Sequence, residues 1–285
     1  MVPAPQDDQF RNRSDSMTVL LPTSPQPRAV GSINWIGLKT LYVKEVSRFL
    51  KVFTQTVAAP VVTTLLFYTI FALALGGLVR DADGVPFLEF LAPGLVMMAL
   101  IQNSFANTSS SMVISKIQGN IVDVLMPPLS PVELLCGYVG GGITRGILVG
   151  AVTFAAIRVF VPVGLHDGFF IAYHAVAASM MLSLLGIIGG IWADKFDQMA
   201  AVTNFVIVPL SFLSGTFYTI SRLPEAWQVI AHFNPFFYMI DGFRYGFIGQ
   251  SDGTLVLGLF VMFGINLFLA IVAWRMLTTG YKLKP

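Results

Sequence analysis

The sequence predicts an all-α polytopic membrane protein, and three observations predict it. Six apolar runs each reach the roughly 20 residues a helix needs to cross a ~30 Å hydrocarbon layer. Hydrophobic residues make up 55% of the chain and charged residues only 11%, against about 25% charged in an ordinary globular protein. The charges also gather between the runs, with Arg145 and Arg158 the exceptions, so lipid solvates most of the surface.

Taken in order, residues 1–32 are polar and proline-rich (Pro3, Pro5, Pro22, Pro25, Pro27) and lack the apolar core of a secretory signal. They are expected to be a disordered cytoplasmic tail, with 33–285 as the transmembrane domain. Trp35–Phe53 sets Lys39, Lys44, Arg48 and Lys51 among Leu38, Leu41, Tyr42, Phe49 and Leu50. That pattern predicts a basic amphipathic helix lying flat at the membrane surface, as an anchor or as part of a docking surface. The spans are expected at Val57–Leu78, Phe90–Val113, Leu134–Val161, Phe169–Ala193, Met199–Ile220 and Leu255–Trp274.

An even number of crossings puts both termini on one side, and charge says which. With both termini inside, the inner segments hold Arg28, Lys39, Lys44, Arg48, Lys51, Lys116, Lys195, Arg275, Lys282 and Lys284, and the outer ones Arg80, Arg158, Arg222 and Arg244. Ten against four favours cytoplasmic termini. The outer segment 221–253 is aromatic (Trp227, Phe233, Phe236, Phe237, Tyr238, Phe243) and broken by Pro224 and Pro235. It is expected to form a pair of short re-entrant helices, an interfacial aromatic belt, or both.

Between the second and third spans lies the loop 114–131. Ile117, Ile121, Val124 and Leu125 recur there at helical spacing, Gln118, Asn120 and Asp123 fall off that stripe, and Pro127, Pro128 and Pro131 stop the helix. A short amphipathic helix on a cytoplasmic loop is a lever that a soluble partner could push.

The chain carries no HExxH, GxSxG or GxxxxGK[ST] motif. An ATPase that drove it would be a separate polypeptide. His166, His174 and His232 have no metal-ligand spacing, Cys136 has no cysteine partner, and a net charge of +2 does not suggest nucleic acid. No acidic residue falls mid-span, which counts against an ion-coupled carrier.

Arg145 is the one charge well inside a span. It is expected to snorkel or bond a neighbouring helix carbonyl, or else to transmit force or meet substrate. Gly137, Gly141, Gly142, Gly146 and Gly150, with Gly186 and Gly190, recur at the four-residue interval of tight helix contacts, within one chain or between two. Asn103 and Asn107 share a face of the second span with Ser110, and that face must meet a helix or an aqueous path. Asn204 and Phe205 of the fifth span could face the same cavity.

Two stretches carry a resemblance. FLAPGLVMMALIQNSFAN with the following SKIQGNIVDVLMPPLSPVELLCGYVGGGITRG, and the later NPFFYMIDGFRYGFIG, resemble the membrane subunit of ABC-2 type exporters, over roughly residues 33–280. The resemblance implies the type V exporter-like fold: six spans, an amphipathic connecting helix and a re-entrant pair before the last span. It also implies a bacterial inner-membrane dimer of permeases, each docked to a cytoplasmic ATPase that uses ATP and Mg. The coupling helix would be the Ile114–Pro128 region, with Lys116, Gln118, Asn120 and Asp123 as contacts. Related permeases often carry an acidic pair flanking Gly-Thr there, where this chain has Gln118, Gly119 and Asn120. Asn103, Asn107 and Asn204, on the second and fifth spans, become candidates to line the path. The expected function is export of an amphipathic, lipid or saccharide substrate. A non-transporting membrane scaffold is the alternative, and an intramembrane enzyme fits least.

Overall fold

In the computed structural model, which describes residues 33–75, 81–82 and 84–283, the long apolar runs are helices. The tail expected at 1–32 and the end of the first expected span, 76–78, lie outside the described residues. Helix α1 (Trp35–Leu50) starts at Asn34, whose side-chain oxygen accepts the Gly37 N–H at 2.9 Å. A π-helical turn (Thr54–Ala58) leads into α2 (Ala59–Leu75). A two-residue antiparallel pair, β1 (Asp81–Ala82) with β2 (Val85–Pro86), turns the chain into α3 (Phe87–Ile117).

The expected helix across 114–131 is broken in two. α3 runs on to Ile117, Gly119 takes φ 73°, and only then does α4 (Ile121–Leu125) form. That left-handed residue resets the helical phase. Ile121 and Val124 are buried as the spacing predicts, but Ile117 and Leu125 are exposed.

α5 (Pro131–Arg158) opens on a capping box. Ser130 Oγ accepts the Glu133 N–H at 3.3 Å, and the Glu133 carboxylate accepts the Ser130 N–H at 2.6 Å. α6 (Gly168–Trp192) is capped by Asp167. The fifth crossing combines α7 (Phe196–Val202), a second π-helical turn (Thr203–Ile207) and α8 (Val208–Leu213). It stops before the expected Ile220, because Gly215 turns left-handed at φ 78°. Two shorter helices follow, α9 (Glu225–Phe233) and α10 (Pro235–Ile248), and then α11 (Leu255–Thr279), which runs past the expected end at Trp274 to Gly280 at φ 66°.

Among the described residues, six helices are long and apolar enough to cross a membrane. They divide into two kinds. The spans of α3, α5 and α6 are 78%, 44% and 61% buried within the chain, whereas those of α2, α7–α8 and α11 are 22%, 17% and 17% buried. The central three pack through glycine. A Cβ on Gly190 would lie 2.6 Å from Met112 Cβ, and one on Gly141 2.6 Å from Glu45 Cβ. Gly142 faces Ser183 and Thr108, and Gly146 faces Ser104. The four-residue glycine rows therefore serve contacts inside one chain: α5 against α1 and α3, and α6 against α3. The larger core joins α3, α6 and α10.

Candidate functional site

At the C-terminal end of α3, Lys116 does not reach outward. Its Nζ donates to the Ile191 and Ala193 carbonyls, each at 2.7 Å, and lies 3.5 Å from Asp194 Oδ1. Lys282 Nζ donates to the Trp192 carbonyl at 3.0 Å and to Asp194 Oδ2 at 2.9 Å. Two ammonium groups thus meet carbonyls that the end of α6 leaves without intrahelical donors. The Lys282 hydrogen bond, helped by the charges of Lys282 and Lys116, holds the Asp194 carboxyl below its usual range. Gln118, Asn120 and Asp123 are exposed, on or beside α4. A cleft of about 220 Å³ separates this loop from α1, lined by Gly37, Lys44, Asp123 and Pro127 among others. Asn34 Nδ2 donates across to the Pro128 carbonyl at 3.2 Å, which fixes the loop against the start of α1.

Deeper in the chain, α1, α3 and α5 share a polar network. Glu45 on α1 is wholly buried. Its carboxylate accepts from Arg48 Nη2 at 3.0 Å and from Ser111 Oγ at 2.7 Å. Arg48 also donates to the Asn107 carbonyl at 2.7 Å, to Asn107 Oδ1 at 3.2 Å and to Ser110 Oγ at 3.1 Å. Further along, Arg145 Nη2 of α5 donates to Asn103 Oδ1 at 3.0 Å. Arg145 therefore bonds a neighbouring helix through a side-chain oxygen. On the α3 amide face, Asn107 meets α1 through Arg48, while Asn103 meets Arg145 and also borders a cavity.

That cavity, about 420 Å³, lies between α2, α3 and the second π-helical turn. Its polar lining is Gln55, Thr63, Thr64, Gln102, Asn103 and Thr203, interleaved with Phe67, Leu95 and Met98, and no lining residue is formally charged. The volume falls in the ~300–1,000 Å³ range of small-molecule sites. Both π-helical turns contribute to it, through Gln55 and Thr203. Each turn ends two residues before a proline, Pro60 or Pro209, whose missing N–H deprives a carbonyl of its α-helical donor.

Asn204 and Phe205 are not brought to this cavity within the chain. Both are exposed, Phe205 at 81%, and Thr203 takes the lining position. A π turn carries more residues than the 3.6 of an α turn, so spacing counted in α phase misplaces them. Sequence reasoning also missed Glu45, the acidic residue among the bases of α1, with Arg48 one turn on. It counted Arg244 as an outer charge, yet Arg244 is buried, donates to the Gly215 carbonyl and lies 3.8 Å from the centre of the Phe90 ring. Among the described residues, no three His, Cys, Asp or Glu side chains gather as a metal site, and Cys136 is an exposed free thiol.

Residues 37–248 match the ABC-2 type transporter family. The inner membrane transport permease YadH of Escherichia coli strain K12 is 38% identical over 252 residues, covering 88% of this chain and 98% of YadH. Nodulation protein J of Sinorhizobium fredii is 24% identical over 188 residues, covering 64% of this chain and 70% of that protein. The Nodulation protein J of Rhizobium leguminosarum bv. viciae is 25% identical over 194 residues, covering 66% and 73%. With six helices long and apolar enough to cross a membrane among the described residues and a family match across most of its length, the chain belongs to the ABC-2 type transporters, as one of their membrane permeases.

Proposed function

We propose that this permease is the membrane half of an ATP-binding-cassette exporter, residues 33–285 forming its transmembrane domain in the bacterial inner membrane with both termini cytoplasmic. A separate ATPase subunit, using ATP and Mg, docks on the loop between α3 and α5. Gln118, Asn120 and Asp123 offer the contact surface. Lys116 holds the loop to the end of α6, so that movement of one carries the other. Two copies of the permease pair. α1 lies along the inner surface, and α9 with α10 dips into the outer leaflet.

The observation that carries this reading is the cavity beside Asn103. It is uncharged, lined by amides and hydroxyls as well as apolar groups, and sits next to helices the chain itself covers little. Such a lining suits an amphipathic, lipid or saccharide cargo. The test is ATP-dependent movement of cargo in vesicles holding the permease with its co-purified ATPase. Asp123→Arg and Gln118→Arg are expected to weaken ATPase capture in a pull-down while the permease stays folded. Undiminished capture by both, or labelling of Lys195 from the periplasmic face alone, overturns the placement of the coupling surface.

A further inference from the structure

A groove of about 200 Å³ lies between α3, α5, α6 and α10, and every residue that lines it is apolar. Leu100, Ile147, Phe154, Leu165, Ile171 and Phe247 are among them, and none is shared with the cavity beside Asn103. One wall is aromatic: the Phe154 ring lies 4.8 Å from that of Phe247, which lies 4.9 Å from that of Phe243. The groove opens outward past Ala151, which is exposed, and Leu165, which is 60% exposed. Water finds no hydrogen bond in such a lining, and an empty space would cost its walls their dispersion contacts. A flexible apolar chain restores those contacts.

The position of the groove along α5 narrows the occupant. Ile147, Ala151, Phe154 and Arg158 recur at intervals of four, three and four residues and so share one helix face. From Ile147 to Arg158 an α-helix rises about 16 Å, about half of the ~30 Å hydrocarbon layer. The apolar stretch therefore spans the depth of one leaflet and ends on a cation at the level of the headgroups. Arg158 is exposed and makes no hydrogen bond or ion pair among the described residues. Asp167, the nearest acidic residue in the chain, is already engaged, accepting the Phe169 and Phe170 N–H groups at 2.8 and 3.4 Å. A guanidinium left in this way matches a phosphate, which it can hold through two parallel hydrogen bonds.

We propose that this groove seats one acyl chain of a membrane phospholipid, with the lipid's phosphate on Arg158. The lipid is a resident of the fold and not cargo. The proposal takes from the exporter reading only the choice of leaflet, the outer one. The test titrates the full-length permease in micelles, without ATPase or ATP, with dioleoylphosphatidylglycerol and with dioleoylglycerol, which lacks the phosphate, and counts bound lipid by native mass spectrometry. Saturable binding of one phosphatidylglycerol is expected, with dioleoylglycerol roughly tenfold weaker, the scale of one lost charge-assisted hydrogen bond. Arg158→Gln should weaken phosphatidylglycerol by the same roughly tenfold factor and leave dioleoylglycerol unchanged, whereas Arg275→Gln should change neither. Ala151→Phe and Ala175→Phe, which narrow the groove from α5 and from α6, should weaken both lipids. No saturable binding by folded protein, equal affinity for the two lipids, an equal loss in Arg275→Gln, or unchanged affinity in both phenylalanine variants overturns the proposal. Because ATP is absent, failure here leaves the exporter reading standing, and failure of ATP-driven transport leaves the lipid site standing.

Discussion

Arg145 and Arg244 are both buried guanidiniums in a mostly apolar chain, and they are held by different means. Arg145 sits between two long regular helices and finds a side-chain oxygen, Asn103 Oδ1. Arg244 sits where the chain is irregular and finds a backbone oxygen, that of Gly215, with the Phe90 ring over its face. Inside a regular helix each backbone carbonyl already accepts from the next turn and has only its second lone pair to offer, as Asn107 does to Arg48, so a charge there leans more on its neighbours' side chains. Past a helix end carbonyls are free, and a cation can use them directly. The same rule explains why Lys116 and Lys282 settle on the end of α6.

The difference predicts where a single substitution strands a charge. Asn103→Leu removes the acceptor that Arg145 uses and should have the largest effect, about 3–5 kcal/mol of stability in denaturant titrations in micelles, with Asn103→Asp restoring most of it. Glu45→Ala should cost less, about 2 kcal/mol by the same measurement, because Arg48 keeps Asn107 and Ser110 and is partly exposed. The hydrogen bond of Arg244 goes to a backbone oxygen, which no side-chain substitution removes. Gly215→Ala leaves the carbonyl but forces a Cβ onto a left-handed residue, 3.1 Å from the Tyr218 carbonyl, for about 1–2 kcal/mol. An effect of Gly215→Ala larger than that of Asn103→Leu would break the comparison.

The smallest expected effect is a pH dependence. The folded-state pKa of Asp194 is depressed, so its contribution is present above the unfolded carboxylate pKa of about 3.9 and is lost as pH falls through the lower folded value. Asp194→Asn should therefore lower stability by a pH-independent amount between about pH 5 and pH 8 and flatten its dependence on pH only below about pH 4. A difference between the two proteins that varies with pH near neutrality would mean that another group titrates there.

The crossings were legible because lipid imposes one demand, unbroken apolar length, and the sequence meets it six times. The glycine rows were legible as close contacts, but their partners depended on which helices the fold sets side by side. Asn103 and Arg145 were each visible as a polar group that needed an answer, though not as each other's answer. Glu45 was hidden because a lone acid on a basic surface helix reads as solvated. Arg244 was hidden because an aromatic, proline-broken stretch gives no phase from which to tell inside from outside. The fifth crossing misled for a local reason, the wide turn at Thr203–Ile207, which shifts every later residue off the α count.

The two lysines at the end of α6 have one more consequence. They close a clasp whose halves come from Lys116 and from Lys282, near the chain's far end, with Asp194 as its catch. A cut after Gly280 would leave Lys116 of the second crossing on the fourth crossing's end, yet it would take away the tie that Lys282 brings there from beyond the sixth. Lys282, just past α11, acts as a strap on helices laid down long before it.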